Sequence, residues 1–89
     1  MTTKKKQLTD LPNIGKVLAE RLIEAEIDSP EKLAALGSEQ AFIRLKTIEP
    51  DSCFNKLCAL EGAVQNIRWH QLAAERKEAL KVFFQQVDH

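Results

Sequence analysis

The residues best suited to bind an anion lie near the start of the chain, in the sequence LPNIGKVLAERL. Pro12 and Asn13 are turn-forming residues, and asparagine is one of the few residue types that tolerate a positive φ. Gly15 allows the backbone to approach a ligand closely, and the amphipathic run after it predicts a helix that begins here. The first amides of a helix have no intrahelical partner, and the helix dipole favours an anion beside them. The stretch therefore predicts a phosphate site, to which Lys16 adds a full positive charge.

Five residues form this candidate phosphate site, and they would act through backbone amides and charge. They are Asn13, Ile14, Gly15, Lys16 and Val17. Contacts of this kind recognise the phosphate backbone of duplex DNA without reading its bases. The alternative is that the same stretch is only a structural turn that reverses the chain direction and binds no ligand.

No arrangement of ionisable residues indicates catalysis. Cys58 and His70 could be drawn as a nucleophile and its base, but Cys58 lies in an apolar helical run that is typical of a core. Cys53, Cys58, His70 and His89 fit no known metal-ligand spacing, so we expect two buried, reduced thiols instead. The sequence predicts a protein that is not an enzyme, with no metal, no other cofactor and no small-molecule substrate.

Charge is unevenly distributed, although the 13 basic residues equal the 13 acidic ones. Residues 1–21 carry five basic and two acidic side chains, a balance of +3, and residues 22–40 carry one basic and five acidic, a balance of −4. We expect residues 1–7 to form a basic tail, with Lys4–Lys6 beside the hairpin, and residues 8–89 to form one domain. The acidic stretch disfavours a broad DNA footprint.

No apolar run approaches the roughly 20 residues that span a bilayer, and no secretion signal follows the basic start. We therefore expect a cytoplasmic protein that does not enter a membrane.

Helix start and stop signals recur along the chain, and strand signals do not. Ser29-Pro30-Glu31 is a start signal, Gly37 can take the positive φ that ends a helix, and Pro50 ends one helix and can open the next. These breaks predict an all-α domain with a short initial turn and five helices. The expected ranges are 8–11 for the turn and 15–26, 30–36, 38–48, 51–67 and 73–87 for the helices.

The helix expected over 51–67 is the best candidate for the centre of the core. Its apolar stripe is formed by Cys53, Leu57, Leu60, Val64 and Ile67. Gly62 within it predicts a close approach by another helix. The last helix repeats the pattern with Leu72, Arg76, Leu80, Phe83 and Val87. We expect burial of Leu18, Leu22, Leu57, Leu60 and Trp69, the last as a plug between the two final helices.

The opening stretch resembles the helix-hairpin-helix motif. The matching residues are Leu11, Pro12, Ile14, Gly15 and Ala19. Asn13 occupies the place of the first glycine of that pattern. From about Leu8 to Phe84 the sequence resembles the C-terminal domain of the TfoX (Sxy) competence regulators. The markers of this resemblance are Gly15, the LAALG run at 33–37, the LEGA run at 60–63, Trp69 and Leu72.

This resemblance implies a compact all-helical domain of the helix-hairpin-helix or SAM-like kind, in a bacterial family linked to regulation of DNA-uptake competence, and the five helices predicted above agree with it. It implies no enzyme.

Two functions agree with these features. The first is a stand-alone regulatory or interaction domain that binds a protein partner or a second copy of itself, with Phe84 and Val87 as the apolar residues left over for that contact. The alternative is a non-specific DNA-binding module that uses the turn at residues 12–17, helped by Lys4–Lys6. In that second case we expect Asn13→Gly, which restores the motif, to bind duplex DNA equally or more strongly.

Overall fold

The computed structural model describes residues 7–87, and all regular structure in that range is helical. The four α-helices are α1 (Lys16–Glu24), α2 (Pro30–Ile48), α3 (Phe54–Gln65) and α4 (Ala74–Val87). A first 3-10 turn, Leu8–Asp10, precedes α1, and a second 3-10 turn, Trp69–Gln71, precedes α4. The expected all-α class is confirmed for the described residues. None of their helices has both the length and the apolar character that crossing a bilayer requires.

The break expected at Gly37 is present, and it divides α2 into two helical arms. Gly37 has φ 81° and ψ 164°, and it kinks α2 so that the segments expected at 30–36 and 38–48 are two arms of one element. Residues 7–87 therefore contain four α-helices instead of the expected five, because the two arms of α2 are continuous through Gly37 and form one element. The start signal at Ser29-Pro30 is confirmed, because Ser29 Oγ accepts the N–H of Lys32 at 3.2 Å and Pro30 is the first helical residue.

Helix α3 begins at Phe54, three residues later than the sequence predicts. Ser52 closes a turn first, because its N–H and its hydroxyl both donate to the carbonyl of Glu49, at 3.0 and 2.8 Å. Cys53 consequently precedes the helix and is exposed, whereas Cys58 is buried within it. The expected burial is confirmed for Cys58 and wrong for Cys53. Desolvation raises the pKa of the buried Cys58 thiol.

The core is centred on the contact between α2 and α3, which is the most extensive one between elements. Its largest fully buried side chains are Leu22, Ile27, Leu33, Phe42, Leu45, Leu57, Leu60 and Leu80. The expected burial is confirmed for Leu22, Leu57 and Leu60, and Leu18 is partly buried against them. The expectation for Trp69 is wrong, because that residue is 46% exposed.

A buried carboxylate ties α2, α3 and α4 together. Glu61 on α3 accepts hydrogen bonds from the Ser38 hydroxyl at 2.5 Å, from Arg76 Nη2 at 3.0 Å and from the side-chain amide of Gln65. Burial opposes ionisation of Glu61, but the hydrogen bonds from Arg76, Ser38 and Gln65 outweigh it and lower its pKa to about 2. Arg76, which the sequence placed in an apolar stripe, instead serves as the cation for this carboxylate.

Candidate functional site

The candidate phosphate stretch forms a tight turn between the first 3-10 turn and α1. Ile14 is 5% exposed and Leu11 packs against the core, so both ends of the turn are fixed by apolar contacts. Asn13 has the expected positive φ, 71°. Gly15 is extended, with φ −88° and ψ −179°, and it is the residue that precedes α1. Its conformation is open to any residue, so its contribution is the absence of a side chain.

The side chain of Asn13 points into the protein and joins the hairpin to the segment after α3. Its Nδ2 donates to the carbonyl of Ile67 at 2.9 Å and more weakly to that of Ala59 at 3.5 Å. Its Oδ1 accepts the N–H of Trp69 at 3.1 Å. We call this set of hydrogen bonds the Asn13 clamp. The Asn13 side chain is committed to the fold, so its role at the site is to position the neighbouring residues.

Gly62 makes room for the Asn13 clamp. A Cβ atom at Gly62 would collide with Nδ2 of Asn13, and it would lie only 2.7 Å from the carbonyl oxygen of Ile67. The sequence predicted a close approach by another helix here, and that expectation is wrong. The groups that approach Gly62 are the hairpin side chain and the loop that follows α3.

The first amides of α1 are open to solvent. Gly15, Lys16 and Val17 are exposed, and their N–H groups donate to no acceptor among residues 7–87. No atom of the described chain lies within 4 Å of the position that a Cβ at Gly15 would take. The N–H of Ile14, by contrast, is directed to the carbonyl of Leu11 at 3.5 Å. Three of the five predicted site residues therefore present free donors, while Asn13 and Ile14 hold the turn in place.

The charge at this end of α1 is the reverse of what helix stability favours. The first turn of α1 contains no acidic residue and begins with Lys16, which forms no ion pair within residues 7–87. A cation at a helix N-terminus is unfavourable for the helix, because it adds to the positive end of the dipole. The open amides and Lys16 together therefore create a concentrated positive potential that suits an anion.

The Asn13 clamp places a second exposed segment beside the hairpin. Arg68, Trp69 and His70 line a groove of about 370 Å³ together with Asn13, Asn55 and Ala59. From α4, Lys77 places its Nζ 5.9 Å from the centre of the Trp69 ring. Neither Arg68 nor His70 forms an ion pair with another described residue. We call the combined surface the hairpin face, and it consists of Gly15, Lys16, Val17, Arg68, Trp69, His70 and Lys77.

Reasoning from the sequence missed Arg68, His70 and Lys77. A signal was available for two of them, because a tryptophan between two basic residues in the run RWH is unusual for a core position. The position of Lys77 over the indole depends on how α4 packs, which the local pattern does not encode.

Two residues of the acidic stretch, Glu24 and Glu26, lie away from the hairpin face. Glu24 is eight residues beyond Lys16 on α1, which corresponds to about 12 Å along the helix axis. Glu24 and Glu26 line a different groove, together with Arg44 of α2. Glu24 is therefore too far from Lys16 to form an ion pair with it. The predicted contribution of Lys4–Lys6 falls outside the described residues.

Comparisons with known proteins agree with this architecture. Two crystal structures of Listeria monocytogenes proteins, one of them described as uncharacterized and the other as of unknown function, have similar folds. The first, a triclinic form, is 47% identical with a TM-score of 0.92, and the match covers 93% of this chain and 94% of that one. The second, a tetragonal form, is 48% identical with a TM-score of 0.87, and the match covers 89% of this chain and 98% of that one.

Curated proteins offer no match to this sequence. The family model of the TfoX C-terminal domain, however, matches residues 4–84, which is most of the chain. The chain therefore belongs to the TfoX C-terminal domain family.

Proposed function

We propose that this domain serves regulation by binding nucleic acid independently of sequence, through the hairpin face. The observation that carries the proposal is the Asn13 clamp, which sets the open amides of α1 beside an exposed tryptophan and unpaired basic side chains. Free N–H donors and cations fit phosphate oxygens, and an exposed aromatic ring fits a sugar or a base. The proposed role is binding alone, without catalysis.

The order of the first 3-10 turn, the hairpin and α1 supports a helix-hairpin-helix or SAM-like interpretation of this region. Asn13 stands where that motif has its first glycine, and its side chain could have blocked a phosphate. Because this side chain turns inward to Ile67 and Trp69, it leaves the approach to Gly15 open. Asparagine also adopts the positive φ that a glycine would supply.

The protein-interaction function has less support in the geometry. Apart from Trp69, the exposed large apolar residues are scattered over three helices, and single exposed apolar side chains are normal on a protein surface. They are Val17, Ile23, Ile43 and Val82. Phe84, one of the two residues expected to remain for self-association, packs its ring against Phe42 and Phe54, with centroids 5.9 and 5.7 Å away.

In the proposed complex, phosphate oxygens accept hydrogen bonds from the amides of Gly15, Lys16 and Val17. Lys16 and Arg68 neutralise the neighbouring phosphates, so that about two to four phosphates are contacted. The logarithm of the affinity should then fall with the logarithm of salt concentration with a slope of about 2 to 4. The affinity should decrease about 10- to 150-fold between about 50 and 200 mM salt.

The test is a salt titration of duplex DNA binding, measured by fluorescence anisotropy of a labelled oligonucleotide. Lys16→Ala should weaken binding and lower the salt slope by about one unit. Gly15→Val should abolish most of the binding by blocking the backbone, with circular dichroism used to verify the fold. Arg44→Ala removes an exposed cation of α2, which lines the groove with Glu24 at the opposite end of α1, and should change little. Equal losses in Lys16→Ala and Arg44→Ala, with Gly15→Val unaffected, would refute the proposed site.

A further inference from the structure

Trp69 is the most unusual surface residue of the protein. It is the only tryptophan in the chain, and it is 46% exposed although this ring is among the most valuable for burial in a small core. Neither Val17 nor Val82, which are exposed to a similar degree, presents an aromatic ring. An exposed indole in a fixed position is suited to stacking against a ligand that has a flat, polarisable face.

The backbone beneath the ring is held firmly. The N–H of Trp69 donates to Oδ1 of Asn13, and its carbonyl accepts the N–H of Leu72 at 3.2 Å. The 3-10 turn is closed further by the N–H of Gln71, which donates to the carbonyl of Arg68 at 2.9 Å. Trp69 therefore extends from an ordered turn, which reduces the conformational entropy lost when a ligand is bound.

The surroundings of the ring are cationic and polar. The Nζ of Lys77 lies 5.9 Å from the ring centre, and the ring of His70 meets it edge-on with centroids 6.0 Å apart. Arg68, the residue before Trp69, is exposed, and Arg68, Trp69 and His70 line one groove together with Asn13 of the hairpin. An aromatic ring with one cation beside it and another on the preceding residue suits an unpaired base and its flanking phosphates.

We propose that Trp69 is a stacking platform for an unpaired base, so that the preferred ligand of the hairpin face is single-stranded nucleic acid. This inference rests on the proposed function and specifies its ligand class. The base stacks on the indole, while Lys77 and Arg68 contact the phosphates that flank it and the amides of Gly15 to Val17 hold a phosphate further along the strand. Bases of a duplex are stacked on each other and are not available to Trp69, so a duplex gains only the phosphate contacts. Stacking on an aromatic ring tolerates any base, so the preference is for strand state and not for sequence.

The fluorescence of Trp69 provides a direct signal for binding. Because the chain has one tryptophan and no tyrosine, its intrinsic fluorescence reports on Trp69 alone. Titration of the full chain with an oligothymidylate of about ten nucleotides should quench this emission, whereas a duplex of the same length should leave it nearly unchanged. An oligouridylate arm distinguishes RNA from DNA, since the sugar 2′-hydroxyl is the difference between the two.

Variants separate stacking from charge. Trp69→Ala should weaken oligothymidylate binding about 5- to 150-fold, measured by anisotropy of the labelled strand, and should weaken duplex binding much less, because a duplex offers the ring no unpaired base. Trp69→Phe keeps a flat ring and should retain most of the affinity. Val82→Ala, at a similarly exposed site on α4, is the control and should bind normally.

The two proposals fail in different ways. Unchanged Trp69 emission at saturation, or equal binding of oligothymidylate by wild type and Trp69→Ala, overturns the stacking platform. If duplex binding is still lost in Gly15→Val under those outcomes, the proposed function is retained and only the stacking role of Trp69 is rejected. If neither Gly15→Val nor Lys16→Ala changes the binding of any nucleic acid, the proposed function itself is overturned.

Discussion

Replacing Asn13 by glycine removes the Asn13 clamp while leaving the backbone free to keep its positive φ. The variant loses the hydrogen bonds to Ile67 at 2.9 Å and from Trp69 at 3.1 Å, and the contact to Ala59 at 3.5 Å is too long to add much. Two good hydrogen bonds contribute about 0.5–1.5 kcal/mol each, so we expect a loss of about 1–3 kcal/mol in the free energy of unfolding. For a domain of this size that lowers Tm by roughly 4–24 °C.

Asn66→Gly is the matched control for this prediction. Asn66 also has a positive φ, 62°, but its side chain makes no hydrogen bond within residues 7–87. Both substitutions give the unfolded chain the same extra freedom, so the difference between them isolates the clamp. Thermal and urea unfolding followed by circular dichroism measure that difference. Equal stabilities of Asn13→Gly and Asn66→Gly would refute the clamp.

The clamp also changes what the motif resemblance suggests for binding. From the sequence, Asn13→Gly should bind DNA as well as the wild type or better. With the structure, we expect weaker binding, because the hairpin and the segment 68–70 are no longer held side by side. A wild-type or higher affinity for both duplex and single strand would mean that the two parts of the hairpin face act independently.

Three further predictions concern the core. Leu60→Ala should lower the free energy of unfolding by about 2–5 kcal/mol in urea denaturation, since Leu60 is fully buried in α3, and a loss below about 1 kcal/mol would show that the core is misassigned. The pKa of Glu61 is lowered from 4.5 to about 2, so its contribution to stability is present above about pH 4.5 and is lost as the pH falls toward 2. Glu61→Gln should therefore flatten the acid limb of a Tm-against-pH curve, and an unchanged limb would contradict this role. Gly62→Ala should destabilise the fold by about 1–3 kcal/mol despite alanine's better helix propensity, and a gain in Tm would contradict the close approach of Asn13 and Ile67.

Local signals in the sequence were enough to predict the class of the fold and several element ends. Ser29-Pro30 starts α2 and Gly37 takes a positive φ, because capping and backbone conformation are determined by the residue itself. The stripe of α3 correctly identified Leu57 and Leu60 as core residues. The start of α3 was misplaced because Ser52 uses its hydroxyl to close a turn on Glu49, which delays the helix to Phe54.

Only part of the candidate site could be predicted from the sequence. The open amides of Gly15 to Val17 follow from a helix start without an acidic first turn, which can be read locally. The side chain of Asn13, however, forms hydrogen bonds with Ile67 and Trp69, which are 54 and 56 positions further along the chain. No local sequence pattern encodes a contact over that separation. The sequence predicts burial of Trp69, because tryptophan is usually well buried. In the structure the Asn13 clamp holds the backbone of Trp69 at the surface, and the ring is exposed.

The most direct test of the hairpin face is a backbone amide NMR titration of the full chain with a short nucleic acid. We expect the largest chemical-shift changes at the amides of Gly15, Lys16 and Val17 and at residues 68–70. The amides of Glu24, the last residue of α1, and of Glu26 just after it should change little. Shifts confined to another surface, or no shift at low salt with either duplex or single strand, would contradict the central claim that the hairpin face binds nucleic acid.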